Sequence, residues 1–121
     1  MIQNQNPKRY DLEDRSFNFA KRCRDFVNKL PKSIPNIEYG KQLIKSSGSQ
    51  ASNYIEANES LSKRDFCHRI KICRKETKES RLWLRLSEVA GNQDLENEQQ
   101  VLIQEVTELT KIYSTIAEKS K

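Results

Sequence analysis

Few residues in this sequence have the types and spacing that catalysis or metal binding requires. The one histidine, His68, follows Cys67, and Cys73 lies five residues further along the chain. Adjacent residues on a helix point to different parts of its surface, which separates potential metal ligands. A separation of five residues also keeps a cysteine out of reach of a histidine base. No glycine-rich phosphate loop is present. We therefore predict no catalysis, no metal site, no cofactor and no small-molecule substrate.

Glu76 and Glu79 are the carboxylates in the most informative position, because they interrupt an apolar stripe of a predicted helix. A di-iron bundle would need Glu-x-x-His pairs, which the sequence lacks. A buried carboxylate needs a partner, and polar residues of the preceding helix are candidates: Lys45, Ser49 and Asn53. We predict a structural polar cluster of Asn53, Glu76 and Glu79. The alternative is that the two carboxylates are functional.

The elements that carry these residues are predicted to be four long helices. The chain has 121 residues with only 3 Gly and 3 Pro, so it has few turns. Apolar positions recur in steps of four and three, as in a packed helical seam. In the first helix they are Leu12, Ser16, Phe19, Cys23, Phe26 and Leu30. We predict one all-α domain over 1–121, an antiparallel up-down-up-down four-helix bundle.

Turn and capping residues predict where the helices begin and end. The predicted helices cover about 11–30, 36–58, 62–90 and 94–118, after a polar leader at 1–10. Pro31 ends the first helix and Asn36 caps the second. Ser62 caps the third, and Gly91 and Asn92 terminate it.

The middle of the second predicted helix is rich in small residues, between positions 46 and 52, and includes Gly48. Gly48 in a helix costs about 1 kcal/mol relative to alanine, so one interpretation is a loop. The other is a continuous helix whose small face lets a neighbour approach closely. Apolar residues keep helical spacing on both sides of the break, which favours the helix.

The cysteine count and the hydropathy pattern predict a cytoplasmic protein. Cys23, Cys67 and Cys73 are an odd number without paired spacing, and we interpret them as reduced thiols. No uncharged run is long enough to span a membrane. The polar N-terminal segment does not resemble a signal peptide.

Two apolar stripes run along the third predicted helix. One comprises Phe66, Ile70, Cys73, Thr77, Ser80 and Leu84. The other comprises Ile72, Glu76, Glu79, Trp83, Leu86 and Ala90. Phe17 and Val27 also lie off the seam of the first helix. Surplus apolar area suggests a subunit interface, and hence a homo-oligomer. The alternative is that the second stripe widens the core of a monomer.

The charge of the chain is unevenly distributed. The net charge is +5, and residues 91–121 carry 3 basic and 6 acidic side chains, against 19 and 11 before them. We expect the first and third helices to lie near each other and to form one basic surface that binds the phosphates of RNA or DNA. The predicted binding residues are Arg22, Lys63, Arg64, Arg69, Lys71, Arg74, Lys75, Lys78 and Arg81. The alternative is a structural or protein-interaction bundle whose basic face only keeps it soluble.

Several motifs in the predicted order resemble the family of 23S rRNA intervening-sequence proteins. The first helix contributes Phe19-Ala20 and Leu30-Pro31, and the second contributes Gln42, Leu43, Ser46, Ser49, Asn53 and Glu56. The third contributes Ser62, Asp65, Phe66, Glu76, Glu79, Trp83 and Leu84. The likeness covers about residues 10 to 118. The departures are Lys45, Gly48, Gln50 and Ala51, all on the second helix.

This resemblance implies a four-helix bundle that assembles as a ring-shaped homopentamer. Genes of the family can lie within insertions in large-subunit ribosomal RNA genes. The family is also similar to accessory proteins of diversity-generating retroelements, which are basic pentameric rings expected to bind nucleic acid. The resemblance therefore implies a pentamer and, through the retroelement proteins, nucleic-acid binding; it points to no established biochemical activity.

Overall fold

The computed structural model describes residues 7–121, and the side chains from Leu12 onward. Four helices follow one another: α1 (Pro7–Lys29), α2 (Ile34–Asn58), α3 (Lys63–Leu86) and α4 (Gln93–Lys119). The prediction of an all-α four-helix bundle is confirmed. Residues 1–6 of the predicted polar leader lie outside the described residues. Residues 7–10 belong to α1, so this helix begins earlier than predicted.

The helices form a closed square in which each packs against two others. α2 contacts α1 and α3, and α4 contacts α3 and α1. Between α1 and α4, Arg15 binds Glu105 while Arg22 binds Glu98, so these two helices are antiparallel. Within the described residues α1 and α3 make no contact and lie at opposite corners. The expected single surface on helices one and three is therefore wrong, because short loops place consecutive helices side by side.

The start of α2 differs from the prediction. Ser33, not Asn36, is the N-cap, and its hydroxyl accepts a hydrogen bond from the backbone N–H of Asn36. The Asn36 side chain is instead buried between two loops. Its amide nitrogen donates to the carbonyl oxygens of Pro31 and Glu88, each at 2.9 Å, and its oxygen accepts from the N–H of Glu88. Asn36 thus joins the α1–α2 loop to the α3–α4 loop.

The helix α3 is shorter than predicted. Ser62 caps its start, and its hydroxyl accepts from the N–H of Asp65 at 3.0 Å. The helix ends at Leu86 instead of residue 90. Ala90 and Gly91 then adopt φ angles of 53° and 73°, which turn the chain through the left-handed region. Asn92 is the N-cap of α4.

The buried core combines the predicted seams with a polar centre. The first stripe of α3 is buried from Ile70 to Leu84. At mid-height the side chain of Gln50 is fully buried; it donates to the carbonyl of Ser16 and accepts from the hydroxyl of Tyr113, both at 2.8 Å. The Cys73 thiol donates to the carbonyl of Gln50. All four helices therefore meet at Gln50.

The helical interpretation of the Gly48 region is correct, because α2 is continuous from Ile34 to Asn58. The close approach lies elsewhere in α2. A Cβ atom at Gly40 would come within 2.8 Å of the Val27 side chain on α1, whereas at Gly48 it would meet no described atom within 4 Å. Gly40 is therefore the position that needs a glycine for packing.

Candidate nucleic-acid interface

The basic residues of α3 are gathered on one side of the helix. Eight of its nine fall within about a third of the helix circumference at 100° per residue. We call these eight the α3 ridge: Lys63, Arg64, Lys71, Arg74, Lys75, Lys78, Arg81 and Arg85. Cys67 lies in the same sector, and its thiol is 3.8 Å from the carbonyl oxygen of Ala117. The α3 ridge therefore borders the groove between α3 and α4.

The facing flank of α4 carries no charge along most of its length. By helical spacing its residues are Gln100, Ile103, Thr107, Thr110 and Ser114. Thr110 marks the register, because its hydroxyl donates to the hydroxyl of Thr77 at 2.9 Å. Among the described residues, the one ion pair made by the α3 ridge joins Lys75 to Glu76 at 3.9 Å. The other seven cations of the ridge thus lack a carboxylate partner within residues 12–121.

The basic residues of α1 that face α4 are neutralised. The Arg15 guanidinium donates to Glu105 at 2.9 and 3.1 Å and to Glu108 at 3.0 Å. These bonds, chiefly the one to Glu105, raise the pKa of Arg15. A hydrogen bond from Gln104, and then the contact with Arg15, lowers the pKa of Glu108.

Arg22, predicted to bind nucleic acid, belongs to the same set of ion pairs. Its guanidinium donates to both carboxylate oxygens of Glu98, at 3.0 and 3.3 Å. Arg22 is therefore separated from the α3 ridge and paired within the protein. The prediction placed Arg22 on one surface with the α3 cations, and the structure separates it from them because Arg22 faces the carboxylate Glu98 of α4.

Arg69 also lies outside the α3 ridge, on the side of α3 that packs against α2. Its guanidinium donates to the side-chain oxygen of Asn53 at 2.9 Å. The Asn53 amide in turn donates to the carbonyl of Ser49 at 2.9 Å. The Asn53 side chain therefore links α2 to α3, but its partner on α3 is an arginine instead of the predicted glutamate.

The two predicted structural carboxylates occupy different environments. The Glu76 side chain is 16% exposed, and burial, followed by the charge of Glu79, raises its pKa against the opposing effects of Lys75, Lys45 and Ser49. Glu76 therefore lies near the predicted partners on α2. Glu79 is exposed, so its predicted burial is wrong. Glu79 is therefore a solvent-exposed member of the stripe that it shares with Trp83.

The cysteines include two inert thiols. Cys23 and Cys73 are fully buried. Burial raises the pKa of Cys73 to about 12 and that of Cys23 further. Cys67 is half-buried at the edge of the bundle. Within the part of the chain that the structure describes, no three His, Cys, Asp or Glu side chains are grouped so as to hold a metal ion.

An apolar face lies between α1 and α2, away from the α3 ridge. We give this name to four exposed side chains: Ile37, Ile44 and Ile55, which share one flank of α2 by helical spacing, and Phe17 on α1, which is 61% exposed. Beside it, a depression of about 210 Å³ is lined by residues that include Val27 and Ile44. Sequence reasoning found Phe17 and Val27 but not the isoleucines of α2, whose shared flank follows from their helical spacing.

These features define a class of small helical bundle whose most distinctive surface is a row of cations on one helix. The chain belongs to the 23S rRNA-intervening sequence protein family, because the sequence pattern of that family matches residues 8–115. The predicted resemblance to this family is thereby confirmed.

A solved structure is similar over most of the chain. It is that of a protein with unknown function from the S23 ribosomal protein family of Bacteroides thetaiotaomicron VPI-5482. The two share 25% sequence identity with a TM-score of 0.74, over 88% of this chain and 97% of the other. A comparison with curated proteins found no match. Between residues 7 and 121, no helix is both long and apolar enough to cross a membrane.

Proposed function

We propose that this chain is a non-catalytic, self-associating protein that binds RNA or DNA through the α3 ridge. The proposal rests on one observation: seven of the eight cations of the α3 ridge make no ion pair with a carboxylate of the described residues. Cations that are not already paired can replace the counterions of a phosphate backbone, and the release of those counterions drives binding.

The geometry of the ridge suits a backbone more than the bases. The ridge extends about 33 Å at 1.5 Å per residue, and its eight cations are spread over about six helical turns. α3 packs against α2 and α4 on its two sides, so it cannot enter a nucleic-acid groove as a free helix would. We therefore expect affinity with little sequence preference.

A charge-reversal experiment tests this function. Lys78→Glu changes the ridge, and Lys21→Glu makes the same change at an exposed site on α1. Fluorescence anisotropy with structured RNA, single-stranded DNA and duplex DNA, at several salt concentrations, should give a steep salt dependence for the wild type. Lys78→Glu should lower the affinity and reduce the salt slope by about 0.9 per lost contact on a duplex. Equal affinities of the two variants, or no binding at low salt, would refute the function.

Self-association is proposed to use the apolar face between α1 and α2. Phe17, Ile37, Ile44 and Ile55 form an exposed apolar patch of a kind that soluble monomers usually bury. The resemblance to ring-forming proteins favours a homopentamer. A ring would repeat the α3 ridge around its axis, so that several weak phosphate contacts act together.

Two matched variants test the interface. Ile44 on α2 and Val101 on α4 are 46% and 45% exposed, so a glutamate at either site has a similar cost in the monomer. Sedimentation equilibrium should show a fixed multiple of 14.2 kDa for the wild type and for Val101→Glu. Ile44→Glu should dissociate while retaining its helical circular dichroism. A wild type of 14.2 kDa at micromolar concentration would contradict self-association.

The competing function is a structural or protein-interaction bundle without a nucleic-acid role. The apolar face between α1 and α2 is the observation that favours it, because this surface suits a protein partner. The two functions differ in one measurement, since only the first predicts nucleic-acid binding that weakens steeply with salt.

A further inference from the structure

The α3 ridge ends in a concave site. A cleft of about 470 Å³ lies where the start of α3 meets the end of α4. Its lining includes five basic side chains, those of Lys63, Arg64, His68, Lys71 and Lys121. The thiol-bearing side chain of Cys67 lies among them.

Most of the charge around the cleft is available to a ligand. Lys121 is bound to Glu118 at 3.1 Å. Lys63, Arg64 and Lys71 make no ion pair with any carboxylate among residues 12–121. No glutamate or aspartate lines the cleft. Three uncompensated cations therefore surround one small volume.

The charge density of the cleft distinguishes it from the ridge. A phosphodiester carries one negative charge, and cations spaced along a helix can meet successive diesters one at a time. A phosphate monoester carries about −1.5 to −2 charges at pH 7, with three acceptor oxygens at a single point. Cations that converge on one volume suit such a group better than they suit an internal diester.

We propose that this cleft binds the terminal phosphate of a nucleic-acid strand whose backbone lies along the α3 ridge. This proposal rests on the proposed function of the ridge. The cleft and the ridge share Lys63, Arg64 and Lys71, so a strand bound along the ridge would bring its end to the cleft. A free polyphosphate has the same chemistry at its end, and the experiment below separates the two sources. The volume of about 470 Å³ is sufficient for a group of nucleotide size.

Cys67 supplies a reporter inside the cleft. Cys23 and Cys73 are fully buried, so iodoacetamide should modify the folded protein at Cys67 first. The rate of modification at Cys67, followed by peptide mass spectrometry, should fall in a saturable manner as pyrophosphate is added. Lys71→Glu should abolish this protection. Lys21→Glu, the same charge change on α1, should retain it.

The source of the phosphate is tested with two single-stranded RNAs of the same sequence, one with a 5′-phosphate and one with a 5′-hydroxyl. We expect the phosphorylated strand to bind about fivefold more tightly at 0.1 M salt, the effect of about one additional contact on a single strand. Lys71→Glu should remove the preference, and Lys78→Glu should weaken both strands while leaving the preference in place.

Three results would overturn the assignment. Equal affinity for the two strands, with a steep salt dependence, refutes the cleft and leaves the ridge function standing. Protection of Cys67 by pyrophosphate without binding of either strand refutes both the strand end and the ridge function, and identifies the ligand as a free phosphate compound. Pyrophosphate that leaves the modification rate unchanged refutes the anion site itself.

Discussion

The two flanks of α4 meet positively charged helices in opposite ways. Towards α1, α4 presents Glu98, Glu105 and Glu108, and these bind Arg22 and Arg15. Towards α3 it presents amide, hydroxyl and aliphatic side chains along most of its length. The same helix therefore pairs with two arginines of one neighbour and leaves the cations of the other without a carboxylate partner on its facing flank.

The difference shows that the position of a charge matters more here than the net charge of +5. Arg15 and Arg22 join α1 to α4 through ion pairs, and they would have to break these pairs to reach a phosphate. The cations of the α3 ridge would break none within the described residues, apart from the pair of Lys75 with Glu76. The carboxylates of α3 do not help, because Asp65, Glu76 and Glu79 lie outside the ridge sector.

The largest expected effect on nucleic-acid affinity comes from adding carboxylates to the flank of α4 that faces α3, so that it resembles the flank that faces α1. By the register of Thr110 with Thr77, Gln100→Glu together with Ser114→Glu would place one negative charge near the Arg85 end of the α3 ridge and one opposite its middle. Each neutralised contact should cost about eightfold in duplex affinity at 0.1 M salt, or about sixtyfold for the pair. Anisotropy titrations with the RNA and DNA probes measure the loss, and thermal unfolding checks that the fold is intact.

The matched control for this double variant lies on α2. Gln42→Glu with Ser52→Glu changes the same residue types at exposed positions and adds the same charge to the protein. A small decrease in affinity is expected there, from net charge alone. If both double variants lose affinity equally, net charge governs binding and the contrast between the two flanks has no functional meaning.

Removing the ion pairs between α1 and α4 should lower the stability of the fold and leave nucleic-acid affinity unchanged. Arg15→Ala eliminates the bonds to Glu105 and Glu108, and the Arg15 side chain is only 28% exposed. We expect a loss of about 1 kcal/mol, or about 4 °C in Tm, which becomes smaller in 1 M salt. Thermal unfolding followed by circular dichroism measures it.

The control is Arg24→Ala, which removes an exposed pair with the adjacent residue Asp25. Its stability should change by less than about 0.5 kcal/mol. If Arg15→Ala melts like Arg24→Ala, the ion pairs of α1 with α4 do not stabilise the bundle. A marked loss of nucleic-acid affinity in Arg15→Ala would place α1 in the interface after all.

The helices and their buried seams were predictable from the sequence, but their arrangement around the bundle was only partly so. The steps of four and three identify which residues of α1 and α3 are buried, such as Phe19 and Ile70, and these are buried in the structure. Periodicity does not say which helix lies on each side of a seam. Periodicity alone therefore does not separate Arg22 from the α3 cations, although α1 and α3 are diagonal.

Polar residues with distant partners were the least predictable. Asn36 resembles a helix cap in sequence, yet it binds the backbone of Glu88, 52 residues away. Gln50 lies in a run of small polar residues, yet it is the buried centre where four helices meet. In both cases the local pattern fits the residue type, and only the tertiary fold identifies the partner.

The smallest predicted effect concerns Glu76, which lies on the side of α3 away from the ridge. Burial raises the pKa of Glu76 in the folded state. At pH values between the ordinary glutamate pKa and this raised pKa, the folded protein therefore binds more protons than the unfolded chain does. Stability due to this group therefore falls as the pH rises through that window, and the charged form remains a cost at pH 7.

Glu76→Gln should raise Tm at pH 7, and the difference from wild type should shrink on acidification through the same window. Glu56→Gln, at an exposed site on α2, is the control and should leave Tm unchanged. A lower Tm for Glu76→Gln at pH 7 would mean that the contacts with Lys45 and Ser49 outweigh desolvation, and that this carboxylate stabilises the α2–α3 seam as its counterparts on α4 stabilise the seam with α1.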